Sequence, residues 1–162
     1  MADQGPRAMA QALRYLSYRP RSRAELEGRL CRHYPPPVVA ETLDRLETLK
    51  LLDDAAFARL WRDSRDASSP RSRSLVSREL LQKGVSRDVI GEATAGIEDE
   101  ANAYRAAQKK ARSLSMLDYE TFGRRLAAHL LRRGFSFSLT RRTVERLRGE
   151  MKTTNPVEEE GP

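Results

Sequence analysis

Apolar residues recur along this chain at three- and four-residue spacings with polar residues between them, the pattern of helices buried on one side. Met9, Leu13 and Leu16 set the first stripe, and Arg19-Pro20 ends it, because proline disfavours helical backbone in the residue before it. Ser22 and Glu25 stand at capping-box spacing and open a second helix carrying Leu26 and Leu30. Pro35, Pro36 and Pro37 break the chain, and a proline suits the first turn of the third helix, with Val39, Leu43 and Leu46. Asp53-Asp54 predicts a capped start for a fourth helix bearing Phe57, Leu60 and Trp61. A polar loop over 67–73 leads to a fifth with Leu75, Val76, Leu80 and Leu81, ended by Gly84. Ser86 caps a sixth with Val89, Ile90, Ala93 and Ile97; Tyr104, Ala107, Ala111 and Leu114 mark a seventh. The eighth carries Leu126, Ala127, Leu130 and Leu131 on one side and stops at Gly134. Ser136 caps a ninth with Leu139, Val144 and Leu147. No stretch alternates with the period of a strand.

The pattern repeats. Leu26, Val76 and Leu126 lie fifty positions apart, as do Leu30, Leu80 and Leu130, and Val39, Val89 and Leu139. Leu81-x-x-Gly84-Val85-Ser86 matches Leu131-x-x-Gly134-Phe135-Ser136, whereas the first copy has His33-Tyr34-Pro35-Pro36 there. The expectation is all-α: an elongated array of three tandem three-helix repeats over 8–53, 54–98 and 99–150. A flexible N-terminus (1–7) and a disordered acidic tail (151–162) flank it. A unit of this size buries too little surface alone, and stacking on its neighbours supplies the remainder.

Charge narrows the partners. Thirty Lys and Arg against 23 Asp and Glu leave +7. That excess points to nucleic acid or an acidic protein surface. Between Gly123 and Arg148 there are eight arginines and one acid, Glu145, a guanidinium density suited to phosphate or carboxylate. The single cysteine, Cys31, excludes an internal disulfide and fits the reducing cytoplasm; as a small helix residue it is expected to be buried. No apolar run approaches membrane-spanning length, and the N-terminus lacks the pattern of a signal peptide.

Catalytic chemistry is not suggested. Of the two histidines, His33 has only Cys31 nearby as a metal ligand, and His129 lies among arginines with no nucleophile or carboxylate to orient it. Asp53 and Asp54 are accounted for by capping, and no glycine-rich phosphate loop is present. Neither enzyme activity nor a cofactor or metal is expected. Phe57 and Trp61, at helical spacing, are expected in the core. Of Phe135 and Phe137, two apart, one can be buried and the other exposed.

LRYLSYRPRSRAELEGRL, LKLLDDAAFARLW, RELLQKGVS and LLRRGFSFSLTRRTV, in that order and spacing, resemble the RecX family over about residues 8–150. The most specific pieces are Leu52-Asp53-Asp54-x-x-Phe57-Ala58 and the two Leu-Leu-x-x-Gly turns. The resemblance implies tandem three-helix repeats. It also implies a cytoplasmic negative modulator of RecA recombinase in DNA repair and the SOS response. Such a modulator binds the RecA filament on single-stranded DNA and suppresses ATP hydrolysis, strand exchange and co-protease activity. The family has no defining catalytic residues to carry over.

Basic residues are therefore the candidates for contact with RecA or with the backbone of single- or double-stranded DNA. They are Arg71, Arg73, Arg78, Lys83 and Arg87 in the middle repeat, and Arg124, Arg125, Arg132, Arg133, Arg141 and Arg142 in the last. A monomer is expected, since the stripes are consumed by repeat cores. Two rival readings stand beside this one. One is a protein acting directly on DNA, either non-specifically through its basic surface or through a helix-turn-helix at the Leu80–Ser86 turn followed by Ile90, although Asp88 and Glu92 suit base edges poorly. A helical adaptor without DNA is the other.

Overall fold

The computed structural model of the protein describes residues 3–154. Nine α-helices follow one another among them: α1 (Gln4–Tyr18), α2 (Arg23–Leu30), α3 (Pro36–Thr48), α4 (Asp54–Ser68), α5 (Arg73–Gln82), α6 (Arg87–Thr94), α7 (Asp99–Ala111), α8 (Tyr119–Arg132) and α9 (Phe137–Thr154). They form three tandem sets of three. A short 3-10 turn, Arg112–Leu114, follows α7.

The expected punctuation is present. Ser22 accepts from the Glu25 N–H while the Glu25 carboxylate accepts from the Ser22 N–H, a complete capping box. Prolines occupy the first turn of α3. Asp53 accepts from the Ala56 N–H at 3.0 Å and caps α4. Asp54 does something else, described below. α1 starts at Gln4, ahead of the boundary expected at residue 8, because Pro6 falls within its first turn, where a missing N–H costs nothing. α9 continues to Thr154, so Met151–Thr154 of the expected tail are helical; Glu158–Glu160 lie outside the described residues.

The fifty-residue periodicity is a periodicity of burial. Leu26, Val76 and Leu126 are all buried, as are Leu30, Leu80 and Leu130. Of the third set, Val39 and Leu139 are buried while Val89 is half-buried beside buried Ile90. Fully burying a side chain of this size contributes about 1.5–3 kcal/mol. The second leucine of each Leu-Leu-x-x-Gly turn departs from the expected stripe: Leu81 and Leu131 are 47% and 43% exposed. One residue is 100° of helix, enough to rotate them off the buried face. Leu60 is likewise exposed, and Cys31, at the end of α2, is exposed rather than buried.

Contacts gather the chain into two compact units. Among the described residues, one comprises 3–64 together with 77–95; the other comprises 65–76 and 96–154. The first contains a core of Ala12, Leu26, Leu30, Val39, Leu43, Leu46 and Leu52, edged by Met9, Tyr15, Leu16 and Tyr34. The second is built on Ala103, Ala106, Ala107, Leu114, Phe122, Leu126, Leu130, Phe135, Leu139, Val144 and Leu147. Phe57 is buried in the first unit, stacked on half-buried Trp61 at 6.1 Å between centroids. The Trp61 N–H donates to Glu79 at 2.9 Å, which makes this pair structural.

Candidate cationic interface

Each unit contains a joint of the same design, and one of them positions the arginine-rich turn. In the first unit the Ser22 hydroxyl donates to the Lys83 carbonyl at 2.5 Å, tying the start of α2 to the turn after α5. Gly84 in that turn has φ +77°, and a Cβ there would overlap the Ala24 methyl. Asp54, half-buried at the head of α4, accepts from the Arg23 N–H at 2.8 Å. It thus serves the first turn of α2, whose N–H groups have no partner within the helix.

The second unit repeats this. The Ser72 N–H donates to the Arg133 carbonyl at 3.0 Å, and the Ser72 hydroxyl caps α5 by accepting from the Leu75 N–H. Gly134 has φ +87°, and a Cβ there would overlap Ser72 and Leu75. Asp99, at the head of α7, accepts from the Arg73 N–H at 2.7 Å. Ser22 reads as an ordinary cap in the sequence; that it also holds a distant glycine turn, and that Ser72 does the same through its N–H, is visible only in three dimensions.

The candidate residues divide between the units. In the first, Arg78 and Arg87 are exposed. Lys83 is not available as expected: it pairs with Glu25 at 3.0 Å and lies 5.1 Å from the Trp61 ring centroid. Burial alone would raise the Glu25 pKa, but hydrogen bonds from Arg19, Lys83 and the Ser22 N–H hold it down at about 2. Lys83 therefore neutralises a half-buried carboxylate inside its own unit. The exposed face of α6 mixes Arg87 with Asp88 and Glu92.

In the second unit, Arg124, Arg125 and Arg132 are exposed on α8 and Arg133 is half-buried at its end; none has an acidic partner among the described residues. Arg141 and Arg142 are exposed and pair with Glu145 at 3.1 Å and Glu100 at 3.4 Å. Such surface pairs are weak and exchange readily for another partner. Arg73 is exposed, and its backbone belongs to the joint. Arg71 has its pKa lowered by burial and by the charges of Arg65 and Arg133.

That crowding continues through His129, held down at about 4 by desolvation and then by Arg133, Lys110 and Arg132. Sequence reasoning left out Lys110; the dibasic Lys109-Lys110 on α7 was the available signal. Phe137, 72% exposed at the start of α9, projects beside the same turn, while Phe135 is buried.

Fold and surface together define a class: a tandem three-helix-repeat protein with an arginine-rich face and, among the described residues, no cluster of metal-ligating side chains. The first, second and third three-helix domains described for RecX match residues 8–46, 53–93 and 98–144. The regulatory protein RecX of Mycobacterium ulcerans is 46% identical over 134 residues, covering 80% of this chain and 78% of that protein. That of Thermobifida fusca is 37% identical over 161 residues, covering 96% and 87%. The crystal structure of RecX from Lactobacillus salivarius superposes with a TM-score of 0.74 at 24% identity, covering 91% of this chain and 98% of that one. The chain belongs to the RecX family of regulatory proteins. Among the described residues no helix is long and apolar enough to cross a membrane.

Proposed function

We propose that this protein is a cytoplasmic, monomeric negative modulator of RecA recombinase. It binds the RecA filament on single-stranded DNA and lowers its ATPase, strand-exchange and co-protease activities, and so acts in DNA repair and the SOS response. The observation that carries this reading, given the family, is the set of exposed arginines on α8 without acidic partners among the described residues, Arg124, Arg125 and Arg132. Guanidinium pairs bidentately with carboxylate or phosphate, so one surface serves both acidic RecA side chains and the DNA backbone.

Inhibition then requires no chemistry from the bound protein. Hydrolysis and strand exchange depend on how neighbouring RecA subunits are oriented, and a binder that prefers one orientation shifts the population toward it. The test is RecA ATPase on single-stranded DNA with this protein titrated in. Inhibition is expected well below one molecule per RecA. Inhibition only at concentrations that coat the DNA would favour simple competition for the strand and overturn the reading.

A further inference from the structure

The end of α4, one face of α7 and the end of α8 enclose a recess of about 260 Å³ lined by Ser68, Ser69, Lys109, Lys110, His129 and Arg133, with Ala106 and Ser113 completing its wall. Among the described residues no carboxylate lines it. Two helices end here, and helix ends attract cations to their terminal carbonyls. That requirement accounts for Lys109, whose ammonium donates to the Ser68 carbonyl at 2.8 Å. It does not account for the rest. The last carbonyls of α8 already accept from the Arg133 N–H. The Lys110 ammonium, the Arg133 guanidinium and the Ser69 hydroxyl have no side-chain partner among the described residues. His129, half-buried, shares the wall with them.

A recess that gathers three cations, two of them without a partner, a hydroxyl and an imidazole, with no acid among the described residues, is unfavourable when empty and favourable around a compact anion. The volume suits a tetrahedral oxyanion with part of an attached group. Two full charges call for a dianion rather than the single charge of a backbone phosphodiester. We propose that this recess binds a phosphate dianion, either free or as the terminal group of a phosphate monoester, through Lys110, Arg133, Ser69 and His129. The imidazole faces Lys109 and Lys110 from α7, with Arg132 and Arg133 following it on α8. A bound dianion offsets these charges and lets His129 take up a proton and donate to it. The recess shares Arg133 with the candidate contact surface but not Arg124, Arg125 or Arg132, and its binding of phosphate does not depend on RecA.

His33, exposed in the other unit, is an internal reference for the test. The histidine C2–H resonances of the full chain are titrated with pH in inorganic phosphate and in chloride at equal ionic strength. Phosphate is expected to raise the apparent pKa of His129 by at least one unit, about a tenfold preference of the anion for the protonated form, and to leave His33 in place. Lys110→Gln, checked for unchanged helicity, should abolish the shift. Thymidine 5′-monophosphate with thymidine as control separates the sources. A shift with the nucleotide assigns a terminal phosphate, and a shift with inorganic phosphate alone assigns the free ion. Parallel movement of both histidines, no movement of His129, or a shift that survives Lys110→Gln would overturn the site.

Discussion

The Ser22 hydroxyl reaches the Lys83 carbonyl across 61 positions of sequence, while its oxygen accepts from the Glu25 N–H in its own helix. One side chain therefore caps a helix and satisfies a carbonyl in a remote turn. Ser22→Ala should lower the unfolding free energy by about 1–3 kcal/mol, the sum of a lost cap and a partly buried carbonyl left without its donor. Ser86 caps only its own helix, through the Val89 N–H at 3.4 Å, so Ser86→Ala should cost about 0.5–1 kcal/mol. Urea unfolding followed by circular dichroism compares them; equal losses would remove the joint from the account.

The glycine turns give a sharper contrast. Ala at 134 must adopt φ +87° and overlap Ser72 and Leu75. Gly134→Ala is expected to destabilise by about 2–4 kcal/mol, combining left-handed strain with overpacking. Gly91 lies inside α6 with nothing within 4 Å of the added methyl. Gly91→Ala should stabilise by about 0.5–1 kcal/mol, since glycine is the poorer helix former. The two substitutions are chemically identical, so melting temperatures moving in opposite directions isolate the environment as the cause.

Two groups divide the acid limb of stability. His129 titrates near 6.5 when unfolded and at about 4 when folded, so the unfolded chain takes up the proton first. Its contribution is present above pH 6.5 and declines as pH falls toward 4, by about 1 kcal/mol once solvent screening is allowed for. Glu25 titrates near 4.5 unfolded and about 2 folded, so its contribution persists down to pH 4.5 and is lost as pH falls through 2. His129→Gln should flatten the upper window alone, and Glu25→Gln the lower window alone, in unfolding experiments at stepped pH.

Charge reversal separates surface from scaffold. Arg132→Glu with Arg133→Glu should raise the concentration needed to inhibit RecA ATPase by at least ~10-fold, a cost of about 1.4 kcal/mol, with helicity unchanged. Lys83→Glu should act differently, because its partner is Glu25 at 3.0 Å: the melting temperature falls first. Inhibition that survives the double reversal at moderate salt would take Arg132 and Arg133 out of the interface.

Much of this was legible in the sequence because it is local. The capping box at Ser22 and Glu25, the prolines opening α3 and the two glycine stops each arise from interactions within a few residues. The fifty-residue spacing exposed the triplicate core, since Leu30, Leu80 and Leu130 occupy equivalent interior positions. What stayed hidden is long-range. Lys83 looked like one more basic surface residue, and only packing beside Glu25 and Trp61 shows its charge is already committed. Asp54 looked like a cap for its own helix and instead serves Arg23, 31 positions earlier. Lys110 carried little weight as one of thirty basic residues; its placement opposite His129 gives it meaning.

The joints also impose an order on synthesis. The hydroxyl at Ser22 waits for a carbonyl 61 residues downstream, and the Ser72 N–H for one at Arg133. A chain leaving the ribosome can form the internal hydrogen bonds of α2 and α5 at once, but the starts of these two helices lack a partner until the glycine bends at 84 and 134 have emerged. These two helix starts are therefore completed only by residues still to come, whereas those capped by Ser86, Asp118 and Ser136 are complete as soon as their own first turns form.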